Sequence, residues 1–187
     1  MMTLTLTLPH AGRWFYQREV QMLTSIAYTP VRAALIDLEA FGLLTKRTHG
    51  NRQYYTVDKD FFMYEEYKSI VLKTVGLGDH IRYRHKNPED VAVAFIHGDF
   101  AEGRETTETP IEFCLVGKMS KQTLDEVLGA ATMFTRKIYK PLLLKPEEFA
   151  SRLRKKDRDL ARILASRKIF MVGTAKVLDG LIPGGKA

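Results

Sequence analysis

The sequence has a single cysteine and no long hydrophobic run, and each shortage excludes a class of protein. Cys114 is the only cysteine among 187 residues, so the chain cannot form an internal disulfide, and its apolar surroundings predict a buried, unreactive thiol. The apolar stretch at residues 4–9 is too short to span a membrane, and the start lacks the basic and apolar regions of a signal peptide. We therefore expect a cytoplasmic protein that does not contact a membrane.

Acidic residues are outnumbered by basic ones. The chain has 29 lysines and arginines against 22 aspartates and glutamates, which gives a formal net charge of +7 at pH 7. Such a charge permits an anionic partner such as nucleic acid. Most of the excess lies in residues 151–168, where eight basic residues accompany two acidic ones. A run of this kind is typical of a solvated helix face, and a phosphate-binding patch is the alternative.

Two short helices are predicted after residues 1–12, which show no pattern that assigns an element. The first covers about residues 14–26, and the second begins at Thr29-Pro30, because threonine favours the N-cap and proline favours the first helical position. This second helix ends near Phe41. Four apolar residues share its inner face: Val31, Ala34, Leu35 and Leu38. Two short helices joined by a tight turn are a helix-turn-helix candidate.

A basic hairpin is predicted directly after the second helix. Two β-prone runs, Leu43 to Thr45 and Gln53 to Val57, flank a polar tip at residues 49–51. The segments LEAFGLL (residues 38–44) and GNRQYYTV (residues 50–57) resemble the ArsR-type winged helix-turn-helix DNA-binding domains, whose consensus reads LExxGLLxxRxxGNRxYYxV. The resemblance implies that the hairpin is the wing of such a domain.

This resemblance implies double-stranded DNA as the partner, with the second helix in the major groove and the wing on the backbone. Three candidate contacts lie at the turn and on the helix: Tyr28, Thr29 and Arg32. Four more lie in the hairpin: Lys46, Arg47, His49 and Arg52. The outward carboxylate of Asp37 counts against a strongly anchored helix. A winged helix used for protein contact is the alternative, and the lack of cysteine in this segment predicts no metal sensing.

Residues 60–75 are predicted to form one long helix with apolar or aromatic side chains around much of its circumference. A helix that is apolar on most sides is buried on most sides, which suggests a partner subunit as well as the chain's own core. A symmetric homodimer would present two recognition helices to a two-fold DNA site. Gly76 and Gly78 close the helix. The predicted division is a winged helix at residues 1–59, a connecting helix at 60–76 and a second domain at 77–187.

The second domain mixes strands and helices, which is typical of an α/β layer fold. Two apolar strands, residues 91–96 and 111–116, are separated by a glycine turn at Gly98 and a polar crossing. The segment AFIHGDFAEGRETTETPIEFCLVG resembles the minimal nucleotidyltransferase domain of the polymerase-β superfamily, whose core reads xxGSxARGxxxxxSDIDLxVxx. The later KPEEFASRL resembles the sPEEFxxRL helix start of small members. Together the resemblances predict an α+β protein: an N-terminal winged helix and a C-terminal nucleotidyltransferase-like α/β domain with a mixed sheet.

The second resemblance implies a site for two divalent metal ions, held by two aspartates two residues apart on one strand and a third carboxylate on a neighbouring strand. Here Pro110 and Glu112 stand at the paired positions, and the neighbouring strand near Lys140 has no acid. Glu108 is expected on the same strand face, roughly 13 Å from Glu112, too far to share a metal. We therefore expect no metal site.

The phosphate-binding turn of the family is altered too. The family's Gly-Ser is Gly98-Asp99 here, and the carboxylate of Asp99 is predicted to cap the following helix and to repel a triphosphate. The remnant of the nucleotide site consists of Gly98, Asp99, Gly103 and Glu112. We therefore predict a catalytically degenerate domain without a cofactor, which can hold a small-molecule or protein partner.

These predictions combine into a DNA-binding transcriptional regulator that carries a nucleotidyltransferase-like pseudoenzyme domain. Two alternatives stay open. One is a divergent nucleotidyltransferase that uses Glu112 and Mg²⁺ and recognises its substrate through the winged helix. The other is an antitoxin-like protein that binds a protein partner.

Overall fold

The computed structural model describes Thr3 and residues 7–74, 76–84 and 90–183, which form an α+β protein with two β-sheets. The predicted class is confirmed, and so is the mixed character of the larger sheet. None of the helices in this described part is long and apolar enough to cross a membrane.

A three-stranded antiparallel sheet organises the N-terminal part. Its elements are a 3-10 turn (Leu8–His10), β1 (Phe15–Tyr16), α1 (Gln17–Thr24), α2 (Tyr28–Ala40), β2 (Leu44–His49) and β3 (Arg52–Val57). Strand β3 lies between β1 and β2 and pairs antiparallel with both. The predicted hairpin is present, and its strands extend beyond the apolar runs because the polar residues next to the tip also pair across it.

The prediction of a helix from residue 14 is wrong at its start. Phe15 and Tyr16 are extended and pair with Tyr55 and Tyr54 of β3. The ring of Phe15 is fully buried in the N-terminal core, and strand pairing satisfies backbone groups that a helix start leaves open. Tertiary burial therefore overrides the local helix propensity.

Helix α2 has the predicted faces. Its inner side chains Val31 and Leu35 are buried, and Arg32 on the opposite face is exposed. The helix begins at Tyr28, so Thr29 lies in the first turn and the prediction that it is the N-cap is wrong. The extended backbone before Tyr28 already allows the helix to begin there, and no side chain caps it.

Helix α3 (Tyr64–Thr74) is shared between the two parts of the molecule, and α4 (Leu77–Arg84) follows it. Val71 packs in the N-terminal core, and the next residue, Leu72, packs in a core of the larger sheet. The prediction of burial around most of the helix is correct for these residues and wrong for Ile70, which is exposed. The predicted start at residue 60 is also wrong, since a turn precedes α3 and leaves Phe62 81% exposed.

A four-stranded mixed sheet organises the C-terminal part. Its strands are β4 (Val91–His97), β5 (Ile111–Gly117), β6 (Tyr139–Leu144) and β7 (Ile169–Val172), in the spatial order β6-β5-β4-β7. Strands β5 and β6 are parallel, and β4 is antiparallel to both β5 and β7. The helices of this part are α5 (Lys121–Thr135), α6 (Pro146–Arg154), α7 (Arg158–Ala165) and α8 (Ala175–Leu181).

Both faces of the mixed sheet are packed, which explains why its central strands are almost continuously apolar. Ile96 and Phe113 point into a core with α4 and α5, and Phe95 and Cys114 point into a core with α6, α7 and α8. Cys114 is buried as predicted, and burial raises the pKa of its thiol to about 12. The thiol is therefore protonated at neutral pH and a poor nucleophile.

Candidate functional site

The first candidate surface lies on α2 and the hairpin. The structure exposes all seven side chains that the sequence predicts for DNA contact: Tyr28, Thr29, Arg32, Lys46, Arg47, His49 and Arg52. The ammonium of Lys46 lies 3.1 Å from Oε2 of Glu39, which is near the end of α2 and seven residues earlier in the sequence. This ion pair partly neutralises Lys46, so the arginines of the hairpin carry most of the available charge.

A cleft of about 760 Å³ separates the start of α2 from the hairpin. Arg32 from α2 and Arg52 from the hairpin line it, and Arg18 from α1 joins them. We name it the arginine cleft. Amide, hydroxyl and aromatic side chains and Met22 complete its lining, and none of its described lining residues is acidic. The cleft therefore has uncompensated positive charge and suits an anion.

Sequence reasoning missed Arg18. Nothing in the local pattern of α1 distinguishes this side chain from a solvated arginine. Its place depends on the packing of α1 beside the hairpin, which follows from the pairing of Tyr16 with Tyr54 just before the helix begins. The aromatic pair Phe15-Tyr16, which favours a strand over a helix, is the signal that could have indicated this packing.

The hydroxyl of Tyr28 is engaged within the protein. It donates to Oε1 of Gln17 at 2.7 Å, and the amide nitrogen of Gln17 donates to Oε1 of Gln53 at 3.2 Å. All three residues line the arginine cleft, so the network ties the first turn of α2 to strand β3. Tyr28 therefore fixes the spacing between helix and hairpin, and its exposed ring is the part available to a partner.

Aromatic rings hold two of the hairpin arginines. The guanidinium of Arg47 lies 4.0 Å from the ring centroid of Trp14, and that of Arg52 lies 5.5 Å from the ring centroid of Tyr16. Stacking orients a guanidinium and leaves the NH groups at its edge free for acceptors. Both arginines are therefore positioned to bind an anion with little further ordering.

The second candidate surface is a cleft at the end of β4 and the start of β5. Gly98 follows β4 in a turn, and its φ of 71° lies in the left-handed region that favours glycine. A Cβ atom at this position would lie 2.6 Å from Oε2 of Glu112, so a side chain would also displace that carboxylate. The turn predicted at Gly98 is present, and it lies against Glu112.

The residues after Gly98 form successive turns, and the prediction that Asp99 caps a helix is wrong. The short span to Gly103, whose φ of 77° is also left-handed, does not provide the consecutive helical residues that a first turn needs. The carboxylate of Asp99 lies 2.8 Å from Nη2 of Arg104, which also contacts Glu102. Since two carboxylates share this guanidinium, the charge of Asp99 is only partly offset, and the predicted repulsion of a phosphate group is weakened and not removed.

Three side chains form a row across the floor of the second cleft. His97 on β4 pairs in register with Glu112 on β5, and Glu112 pairs in register with Lys140 on β6. Register partners on neighbouring strands point to the same face of a sheet. Burial lowers the pKa of His97, against the opposing effect of the Glu112 carboxylate, while Arg162 and Lys168 lower it further. His97 is therefore neutral at pH 7.

The donor set around Glu112 does not fit a two-metal centre. Lys140 stands at the neighbouring strand position, and Pro110 offers no ligand. Glu108 lies in a turn, so its expected place on the strand face is wrong; the ammonium of Lys137 holds the carbonyl groups of this turn. Within the described residues, no group of three or more His, Cys, Asp and Glu side chains could hold a metal ion. Mg²⁺ prefers several oxygen ligands, and here a single carboxylate lies beside an ammonium.

Helices α6 and α7 form the far wall of this second cleft, which has a volume of about 540 Å³. From the basic run, Arg152 and Arg162 line it, whereas Arg154 and Lys155 are solvated as predicted. We name it the mixed-charge cleft. Among the residues that the structure describes, its lining holds four basic side chains, Arg104, Lys140, Arg152 and Arg162, and four acidic ones, Asp99, Glu102, Glu112 and Asp159.

A polar cluster joins the N-terminal part to the turn that lines the mixed-charge cleft. The side chains of Lys68 and Glu105 are 1% and 0% exposed, and the Lys68 ammonium lies 3.3 Å from Oε1 of Glu105. The hydroxyl of Tyr64 donates to the same oxygen at 2.6 Å, and burial keeps the pKa of Tyr64 far above its usual range. Lys59, just after β3, donates to the carbonyl oxygens of Gly103 and Glu105. We name Lys59, Tyr64, Lys68 and Glu105 the clasp.

Comparison with known proteins finds no family model, no curated protein and no solved structure that matches this chain. The two motif resemblances in the sequence therefore stay predictions. The exposed surface of α2 and the hairpin and the chemistry of the two clefts are the features of the molecule that point to a function.

Proposed function

We propose that this protein is a cytoplasmic, DNA-binding transcriptional regulator, with an N-terminal winged helix and a catalytically degenerate nucleotidyltransferase-like second domain. A strand, two helices and a hairpin follow in the order that a winged helix requires, with β3 between β1 and β2. The observation that carries the proposal is the arginine cleft. Arg32 of the second helix, Arg52 of the hairpin and Arg18 converge there, with no acid among the described lining residues.

The exposed surface suggests how DNA would bind. Helix α2 presents Thr29 and Arg32 outward near its start, so its first turns would enter the major groove. The hairpin would lie along the backbone, where the stacked guanidiniums of Arg47 and Arg52 would donate to phosphate oxygens. The exposed carboxylate of Asp37, further along α2, would keep that end of the helix away from the phosphates. Affinity would therefore depend mostly on the hairpin and the arginine cleft.

We propose a homodimer as the DNA-binding form. Phe41 and Phe62 are exposed, and they form an aromatic cluster with Phe61 and Tyr67 between the end of α2 and α3. Exposed apolar patches of this kind mark protein interfaces. A two-fold pair would present two α2 helices to a palindromic site. Phe62→Ser should convert a dimer into a monomer in sedimentation velocity, and a wild-type protein that stays monomeric at high concentration would contradict the proposal.

The salt dependence of DNA binding tests the regulator proposal. In the double variant Arg47→Gln/Arg52→Gln, binding should weaken for all DNA sequences alike, because phosphate contacts carry no sequence information. The slope of log K against log salt should fall in magnitude by about 2, since each phosphate contact contributes about 0.9. Fluorescence anisotropy with the promoter of the protein's own gene and with an unrelated duplex measures both quantities.

The matched control is the double variant Arg154→Gln/Lys155→Gln. It removes the same number of charges from exposed positions that line neither cleft, so it should keep the wild-type slope. An unchanged affinity and slope in the folded hairpin variant would rule out the hairpin as a wing.

The catalytic alternative is less well supported, because an ammonium stands beside Glu112 where the nucleotidyltransferase family has a carboxylate. Transfer of a labelled nucleotide to a target in the presence of Mg²⁺ would reinstate the enzyme, provided that Glu112→Ala abolishes the transfer. Wild-type protein without transfer at millimolar Mg²⁺ is the expected result.

A further inference from the structure

The mixed-charge cleft is built like a small-molecule site and is separate from the arginine cleft. Its volume of about 540 Å³ lies within the roughly 300–1,000 Å³ that is typical of ligand sites. Three parts of the fold supply its walls: the turn after β4, the row of side chains on the sheet, and helices α6 and α7. Side chains that are distant in sequence therefore converge on one open cleft.

The basic side of this cleft consists of Lys140, Arg152 and Arg162. Lys140 is exposed and makes no hydrogen bond or ion pair with the residues that the structure describes, so its ammonium is free for a ligand. Oε1 of Glu148 accepts hydrogen bonds from Nε and Nη2 of Arg152 at 3.1 and 2.8 Å. This pairing fixes the Arg152 guanidinium at the wall. Nη1 lies 3.9 Å from Oδ2 of Asp157, beyond hydrogen-bond distance, so it can still donate to a ligand. Arg162 contacts Asp159 through Nη2 at 3.3 Å and is otherwise open to the cleft.

The carboxylates on the acidic side of the cleft differ from one another in whether a basic side chain contacts them. Asp99 and Glu102 share the guanidinium of Arg104. Glu112 is half-buried and makes no hydrogen bond or ion pair within the described part of the chain. An ionised carboxylate in that position can only accept hydrogen bonds, so it would be satisfied by a hydroxyl group. The cleft therefore offers a free cation, Lys140, next to a free acceptor, Glu112.

We propose that the mixed-charge cleft binds a phosphorylated small molecule with free hydroxyl groups, and that this binding needs no divalent metal ion. The phosphate lies against Lys140, Arg152 and Arg162, which donate charge-assisted hydrogen bonds to its oxygens. A hydroxyl group of the ligand donates to Glu112. The ammonium of Lys140 supplies the positive charge at this place and repels a metal cation. The lining of the site contains no residue of the N-terminal part, so a substitution in it removes no proposed DNA contact.

Isothermal titration of the full chain with ribose 5-phosphate and with AMP, in EDTA and then in Mg²⁺, tests this site. Saturable binding of at least one probe in EDTA, with the same affinity in Mg²⁺, is expected; the pair of probes distinguishes a sugar phosphate from a nucleotide. Lys140→Ala should weaken binding by about tenfold, because it removes a charge-assisted hydrogen bond. Lys140→Arg should retain most of the affinity, and Lys155→Ala, exposed outside the cleft, should bind like wild type.

Several outcomes would overturn the proposal. These are no binding of either probe in EDTA, binding that appears only with Mg²⁺, and ribose that binds as tightly as ribose 5-phosphate. An unchanged affinity in Lys140→Ala would also overturn it. Since Lys140 is exposed, this variant should unfold at the wild-type temperature, which separates a lost contact from a lost fold. Wild-type DNA affinity in the same variant would show that ligand binding in the mixed-charge cleft can be lost while DNA binding is kept.

Discussion

The arginine cleft and the mixed-charge cleft each have three arginines among their described lining residues, and the two clefts differ in what accompanies these arginines. In the first, the neighbours are amides, hydroxyls and aromatic rings. In the second, every arginine contacts a carboxylate. Uncompensated charge attracts a polyanion at long range, whereas compensated charge selects a ligand by the positions of its donors and acceptors. The pairing of each charge is therefore more informative about binding than the net charge of +7.

The clasp connects the parts of the chain that carry the two clefts. Removing one of its charges should therefore destabilise the whole fold. Glu105→Leu removes the fully buried partner of the Lys68 ammonium and leaves the partly exposed Glu65, 2.9 Å away, as its remaining counter-charge. The free energy of unfolding should fall by about 1–3 kcal/mol, less than the loss of a lone buried ion pair, because Glu65 still compensates the ammonium. Urea unfolding followed by circular dichroism measures this loss.

Two further variants serve as controls for the clasp. Glu66→Ala changes an exposed acid on the same helix as Lys68 and should alter stability by no more than about 0.5 kcal/mol. The double variant Glu105→Leu/Lys68→Met replaces the pair with apolar side chains and should recover most of the loss. Wild-type stability in Glu105→Leu alone would show that the clasp does not hold the two parts together.

A second link between the two parts depends on pH. Nε2 of His10 lies 2.7 Å from the carbonyl oxygen of Thr135 at the end of α5, and burial lowers the pKa of His10 to about 4. The unfolded chain takes up this proton near pH 6.5 and the folded chain near pH 4, so stability falls as the pH drops through that window. The expected loss from this group is about 2 kcal/mol between pH 7 and pH 5.

The variant His10→Gln isolates that contribution, because glutamine can donate to the same carbonyl group and does not titrate. Denaturant unfolding at pH 7 and pH 5 should show a smaller decrease in the variant than in the wild type. Equal decreases in both proteins would mean that His10 is not the group that links the two parts to pH.

Charge reversal in each cleft separates the effect of local charge on DNA binding from the effect of net charge, and we expect only a modest change in affinity. Arg18→Glu in the arginine cleft should weaken DNA binding by about tenfold, or about 1.4 kcal/mol, because it removes one phosphate contact and adds repulsion. Arg162→Glu changes the net charge equally, in a cleft where the charges are already paired. It should change DNA affinity by less than about threefold. Equal losses in an anisotropy titration would mean that net charge governs binding.

The sequence predicts those parts of the two clefts that depend on neighbouring residues. The turn at Gly98, the hairpin tip and the faces of α2 each follow from a local pattern. The position of Lys140 beside Glu112 is expected from the nucleotidyltransferase resemblance, which places the strand near Lys140 next to the strand of Glu112. The other residues that line each cleft beside Arg18 and Arg152 are not predictable in this way, since they come from elements that only packing brings together.

The contacts of the clasp also cannot be predicted from local sequence patterns. A lysine in a helix is expected to point to solvent, and the burial of Lys68 depends on Glu105, which lies 37 residues away. The strand at Phe15-Tyr16 has a similar cause, because its pairing partners are in β3. Local propensity therefore predicts the elements and not the long-range pairs that position charged groups.

The packing of helix α3 in two cores affects how the molecule unfolds. Val71 and Leu72 pack in different cores because successive side chains of a helix point about 100° apart. Unwinding α3 therefore exposes apolar surface from both cores at the same moment. Its backbone amides will exchange hydrogen with solvent through openings of the whole molecule, whereas the hairpin tip exchanges through local fluctuations. The helix in this way makes the melting of the two parts a single cooperative event.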